Sequence, residues 1–192
     1  VSVEKSVVNA TTGQNPGANA QPGDTLRYTL VVRNQSDFPV PDAALVDELG
    51  PYFTPGTLRL VSVPSGADST RTDPAGGANG TGIVDIRNLN LGAQGEPNDT
   101  LTVIFEVDLA RVIASGTRVL NRARLSGSNL TSVDSNETET VISSAPEFRV
   151  LKTSQDMTGD PDVLMAGDVL RYTLTVKNIG SENAIDVILR DQ

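Results

Sequence analysis

The stretch GDTLRYTLVVRN, Gly23–Asn34, returns at Gly167–Asn178 as GDVLRYTLTVKN, with nine of twelve positions identical. In the first copy Leu26, Tyr28, Leu30 and Val32 point to one side and Arg27, Thr29, Val31 and Arg33 to the other. That period of two is the mark of a half-buried β-strand. Recurrence at a fixed interval marks a repeat architecture. The offset from Gly23 to Gly167 is 144 residues, so the chain is expected to hold one complete unit over 1–145 and the first strands of a second, truncated copy over 146–192.

Outward from this strand the same alternation continues. Val1, Val3, Lys5 and Val7 share one face of a first strand, so a lysine joins an apolar row. Asn9 to Pro22 is rich in Gly, Asn, Pro and Ala and reads as a loop ending in the Pro22-Gly23 turn. Ala43, Leu45, Asp47 and Leu49 share a face of a third strand, which places a carboxylate among apolar residues. Thr57 to Val63 and Ile83 to Leu91 read as strands, separated by a long Gly/Ser/Asp loop over Pro64 to Gly82. Leu101, Val103, Phe105, Val107 and Leu109 form the clearest inward row and predict a central strand, with Thr102, Glu106 and Asp108 outside. Thr117 to Ser126 predicts one strand with Val119, Asn121, Ala123 and Leu125 inward, and Glu137 to Ile142 a last one. About eight strands are expected in the first unit. Ser143 to Glu147 reads as a linker, after which Phe148 and Val150 share a face with Lys152 as Val1 and Val3 do with Lys5. The class is all-β, with immunoglobulin-like Greek-key sandwich repeats in tandem.

Composition narrows the function. The chain has no histidine, cysteine or tryptophan, which removes the usual general base, the thiol nucleophile, disulfides and the common zinc ligands, and makes an enzyme poorly motivated. A net charge of −9 disfavours nucleic acid and anionic membrane as partners. No apolar run approaches the roughly 20 residues needed to span a bilayer. Aromatic residues make up only 4%, so a glycan-stacking surface would depend on Phe38, Tyr52 and Phe53.

The order of a lysine in strand one, Gly-Asp-x-Leu-x-Tyr-Thr-Leu-x-Val-x-Asn in strand two, an Asp closing strand three and a late Leu-Asn-x-Ala strand resembles the DUF11 repeat. The residues that carry the likeness are Lys5, Gly23, Asp24, Tyr28, Thr29, Asn34, Asp47, Asn121 and Ala123, with Lys152, Gly167, Asp168, Tyr172, Thr173, Asn178 and Asp191 in the second copy. The resemblance implies immunoglobulin-like domains strung in tandem in large secreted or surface-anchored prokaryotic proteins, with neighbouring repeats as partners and an extracellular, structural or adhesive role. The long Gly/Asn-rich loops depart from that pattern.

Lys5, Asp47 and Asn121 fall in phase with the apolar faces of three different strands. Surface charge in this chain is written in arginine, twelve against three lysines, and two of those three, Lys5 and Lys152, open a repeat. An ammonium in a sandwich core needs a partner or must lose its charge. A neutral lysine beside a protonated carboxyl and an asparagine amide has the groups needed to form an intramolecular isopeptide bond. This looks like the crosslinking domains of bacterial pilins and adhesins, of the type that uses Asp and joins the first strand to the penultimate one. A buried Lys5–Asp47 ion pair with Asn121 as a hydrogen-bonding neighbour accounts for the same phase. Lys152 and Asp191 are the second copy's equivalents. Asp156, Asp160 and Asp162 have the oxygen density of a calcium site without an EF-hand spacing, and a solvated loop explains them equally. No other cofactor is implied. Six Asn-x-Ser/Thr sequons begin at Asn9, Asn34, Asn79, Asn98, Asn129 and Asn136. The expected function is a non-catalytic stalk or spacer. The rivals are a glycan- or protein-binding sandwich module and a self-assembling filament or surface-layer subunit joined through the incomplete second copy.

Overall fold

In the computed structural model, which describes residues 1–160 and 162–192, the opening motif becomes β3 (Thr25–Arg33) with Leu26, Tyr28, Leu30 and Val32 all buried. The flanking residues of the motif start and stop the strand. Gly23 takes φ +87°, a conformation that L side chains rarely adopt. The Asp24 carboxylate accepts from the Gln21 amide at 2.8 Å, closing the turn. Asn34 ends the strand by donating to the Phe38 and Gly92 carbonyls at 2.8 and 2.7 Å.

β3 sits between β1 (Ser2–Asn9) and β7 (Thr100–Asp108), and β5 (Arg59–Ser62) completes this sheet in the order β1-β3-β7-β5. The facing sheet has the order β10-β9-β4-β6, from β4 (Val40–Glu48), β6 (Ile83–Leu91), β9 (Ala123–Gly127) and β10 (Leu130–Asp134). From β3 to β7 every connection passes from one sheet to the other, the crossing pattern of an immunoglobulin-like Greek-key sandwich. A third sheet, β2-β11-β8, is built from β2 (Asn19–Ala20), β8 (Arg118–Asn121) and β11 (Thr138–Ile142). One apolar core fills the space between, with Tyr28, Phe53 and Phe105 at its centre. The Tyr28 and Phe105 rings stack at 5.1 Å, and Phe53 meets Tyr28 edge-on at 6.4 Å. Pairs of this kind add about 0.5–1.5 kcal/mol beyond the area they bury. β12 (Phe148–Asp156) and β13 (Leu170–Asn178) form a separate two-stranded ribbon. No helix occurs among the described residues, and none is long and apolar enough to cross a membrane.

Several expectations are corrected. β1 to β11 give eleven strands where about eight were expected, because β2 is two residues long and β10 is a polar edge strand without clean alternation. Thr117 to Ser126 is two strands rather than one. β8 pairs with β11, and after Arg122 the chain continues as β9 paired with β4. The inward phase runs unbroken through this sheet change, with Val119, Asn121, Ala123 and Leu125 all buried, so alternation alone cannot reveal it. Asn121 therefore lies on a strand followed by three more rather than on a penultimate one. Glu106, expected outside, is only 8% exposed because Arg27 and Arg59 lie across it at 2.5 and 2.7 Å. Burial alone would raise its pKa; the two guanidinium groups outweigh that and hold it below the ordinary value. Phe53 is buried, which leaves only Phe38 and Tyr52 of the three proposed stacking aromatics exposed.

Candidate functional site: a buried lysine, aspartate and asparagine

Strand register assembles the site. Lys5 pairs with Leu30 across β1–β3, two residues from Tyr28, while Tyr28 pairs with Phe105 across β3–β7. On the facing sheet Asp47 pairs with Ala123, two residues beyond Asn121, and on the third sheet Asn121 pairs with Thr138. Alternation then points the Lys5, Tyr28, Asp47 and Asn121 side chains into the same space between the sheets. Lys5, Asp47 and Asn121 are 3%, 0% and 3% exposed.

The Lys5 ammonium nitrogen contacts Asp47 Oδ2 directly, with neither side chain reaching solvent. The same nitrogen stands 4.8 Å from the Tyr28 ring centroid and 5.7 Å from that of Phe105. Burial is the largest influence on both ionisable groups. It lowers the Lys5 pKa despite the opposing charge of Asp47, and it raises the Asp47 pKa despite Lys5. Both shifts favour the uncharged pair, an amine beside a carboxylic acid. Burial also raises the Tyr28 pKa, reinforced by Asp47.

Asn121 approaches both Asp47 and the Tyr28 hydroxyl closely enough to act on them, yet neither its Oδ1 nor its Nδ2 has a partner in hydrogen-bond geometry. Asp47 Oδ1 is likewise buried and unpartnered. Three polar atoms of Asp47 and Asn121 are thus buried in the core without a hydrogen-bond partner. Leaving such groups unpaired costs about 1–3 kcal/mol each.

Sequence reasoning missed the segment that brackets this cluster. Asn136 Oδ1 accepts from the Lys5 backbone N–H at 2.8 Å, and its Nδ2 donates to the Lys5 carbonyl at 2.9 Å. Its neighbours bind the other side: Ser135 Oγ accepts from the Ala123 N–H at 3.0 Å, and Thr138 Oγ1 donates to the Asn121 carbonyl at 3.2 Å. The only sequence signal at this point is a sequon, and the structure uses its asparagine as a clamp. Two further sequon asparagines, Asn9 and Asn34, are buried in hydrogen-bonded roles.

The ribbon reproduces the local half of the site. Lys152 pairs with Leu174 as Lys5 does with Leu30, and its Nζ lies 2.6 Å from Asp191 Oδ1 and 4.7 Å from the Tyr172 ring. Here the two side chains are 40% and 45% exposed. The aspartates of the expected calcium site do not converge: among the described residues no three acidic, histidine or cysteine side chains come together in a way that could hold a metal ion. Asp156 instead caps the turn at Thr158, and Asp160 accepts from the Asp162 amide.

No family profile and no curated sequence matches the chain, so the likeness to DUF11 repeats rests on the motif alone. Among solved structures it is similar to the C-terminal domain of the Streptococcus pyogenes antigen I/II-family protein AspA, with 19% identity over 73% of this chain and 46% of that one, at a TM-score of 0.45. It is also similar to the full-length major pilin SpaD from Corynebacterium diphtheriae, with 18% identity over 78% and 42% and a TM-score of 0.48. The Actinomyces fimbrial adhesin FimA is similar at 15% identity over 97% and 82%, with a TM-score of 0.45. The chain spans about half the length, or less, of the first two. A likeness this distant carries no inference about chemistry.

Proposed function

We propose that this chain is a non-catalytic structural repeat, a stalk or spacer of a large secreted or cell-surface prokaryotic protein. In this reading residues 1–145 form a complete unit of DUF11 type and 146–192 the front of the next, whose partners are neighbouring repeats. The mechanical core of the proposal is an isopeptide bond between Lys5 and Asn121. One observation carries it: a desolvated lysine and aspartate, both pushed toward their neutral forms, face an asparagine amide with no other hydrogen-bond partner.

The reaction balances without a cofactor. The neutral Lys5 amine attacks Asn121 Cγ while protonated Asp47 donates to Oδ1 and polarises the carbonyl. As the tetrahedral centre collapses, Asp47 relays one lysine proton to Nδ2. The Cγ–Nδ2 bond breaks, ammonia leaves, and Asp47 ends protonated on the new amide. The bond ties β1 to β8 and spans most of the sandwich, so tension on the stalk passes through covalent structure. The full chain should weigh one ammonia less than its sequence mass, and peptide mapping should recover Lys5 and Asn121 in one branched peptide. A full sequence mass would reduce the cluster to a buried ion pair with a neighbouring amide.

A second reading, self-association, is favoured by the exposure of Val150, Leu151, Tyr172 and Val176 on the ribbon. Sedimentation of the chain as a strict monomer at high concentration would remove it.

A further inference from the structure

We infer that Asn136 is a positioning residue for the Lys5–Asn121 crosslink, clamping the lysine strand at reaction distance from the asparagine strand. The inference rests on the crosslink reading above. β1 is an edge strand whose only sheet partner among the described residues is β3. At Lys5 the backbone N–H and carbonyl that face away from β3 would otherwise be bare. The Asn136 carboxamide supplies both missing partners, at 2.8 and 2.9 Å, acting as a one-residue substitute for a neighbouring strand. It fixes the main chain of the nucleophile's own residue.

The other side of the clamp is equally direct. Ser135, the preceding residue, donates its N–H to the Ala123 carbonyl at 2.8 Å and accepts from the Ala123 N–H through Oγ. Its hydroxyl also donates to the Asn136 carbonyl at 2.7 Å. Thr138 pairs in register with Asn121 and holds its carbonyl through Oγ1. Four consecutive residues, Ser135 to Thr138, thus connect the Lys5 backbone to the backbone on both sides of the β8–β9 sheet change. No other side chain hydrogen-bonds the Lys5 main chain among the described residues. Loss of this clamp removes the outer hydrogen bonds of β1 at Lys5 and lets that part of the strand drift. Displacement of reacting atoms by about 1 Å can slow a reaction on the order of a hundredfold.

The test follows ammonia loss by intact mass after cell-free synthesis of the full chain, reading only the protease-resistant, folded fraction. Wild type is compared with Asn136→Ala, with Asn136→Asp, which keeps the acceptor for the Lys5 N–H and lacks the donor to its carbonyl, and with Leu91→Ala, a core variant on β6. Both Asn136 variants should lose ammonia about 10- to 100-fold more slowly, Asn136→Ala the more so, while Leu91→Ala reacts at the wild-type rate. If Asn136→Ala does not fold, the Asp variant decides. Rates within twofold of wild type for the Asn136 variants, or equal slowing by Leu91→Ala, would overturn the positioning role while leaving the crosslink standing. A wild-type chain that never loses ammonia removes both.

Discussion

The sandwich and the ribbon carry the same motif with the same strand register, and they treat the same lysine–aspartate pair in opposite ways. In the ribbon, Lys152 and Asp191 meet at 2.6 Å beside Tyr172 with close to half of each side chain in water. In the sandwich, Lys5 and Asp47 meet beside Tyr28 with no side-chain exposure at all. The residues that make the pair are therefore local, whereas the environment that makes it reactive is not. In the sandwich β8 delivers Asn121, and the packed core around the cluster keeps Lys5, Asp47 and Asn121 from water. An exposed pair of this kind is worth about 0–1 kcal/mol, while a buried one is costly to break.

The largest separation between the two regions should come from parallel substitutions. Asp47→Ala leaves the buried Lys5 amine without its partner, which costs about 1–3 kcal/mol, and in the proposed reaction it also removes the crosslink, about 4–5 kcal/mol more, and leaves the chain at its full mass. Asp191→Ala should cost less than about 1 kcal/mol. Denaturant titration of both variants checks this; equal losses would show that closure of the sandwich does not distinguish the pairs.

Asn121→Ala keeps the Lys5–Asp47 pair and removes only the crosslink. A closure of roughly a hundred residues contributes about 4–5 kcal/mol in the chain-entropy treatment used for disulfides, so a drop of that order is expected together with restoration of the ammonia mass. A loss under about 1 kcal/mol would show that no covalent closure had been present.

Asn34 and Asn178 sharpen the comparison at smaller scale. Both donate to a carbonyl four residues ahead at 2.8 Å, but Asn34 is buried and also binds the Gly92 carbonyl of the neighbouring loop. Asn34→Ala should cost about 1–2 kcal/mol and Asn178→Ala a few tenths, read as midpoint shifts in urea.

The smallest effect is a pH profile. Asp47 has a folded pKa raised above 3.8, so its contribution is present below that value and is lost as pH rises through the folded pKa. Lys5 has a folded pKa lowered from 10.5, so its contribution is present above that value and is lost as pH falls through the folded pKa. The stability of Asn121→Ala, minus that of the same variant with Lys5→Met and Asp47→Leu added, should trace a trough between those limits. A difference that peaks near neutral pH would mean that the pair stays charged in the core.

Much of the fold could be read from alternation. β1, β3, β4 and β7 follow their inward rows because each crosses one sheet with one face on the core, and a side-chain period of two records that directly, whereas β6 changes phase between Ile86 and Leu89. Alternation has no access to which strand pairs with which. The passage of Asn121 and Ala123 into different sheets at Arg122 keeps its phase, so the sequence shows one strand where two exist. β10 stayed hidden because its pairing with β9 is an exposed hairpin that buries no row of its own.

For the site, the sequence by itself determined that Lys5, Asp47 and Asn121 lie in phase with apolar faces and that Lys152 and Asp191 repeat the first two. The tertiary structure decided the rest. Register across β1–β3 and β4–β9 brought three in-phase residues to one point, and closure of the sandwich stripped them of water and shifted the Lys5 and Asp47 protons. A polar side chain from the connection between β10 and β11, Asn136, came to hold the lysine strand. The physical reason is that inward orientation is a property of each strand alone, whereas desolvation and reaction distance depend on partners far apart in the chain, and no local pattern encodes them.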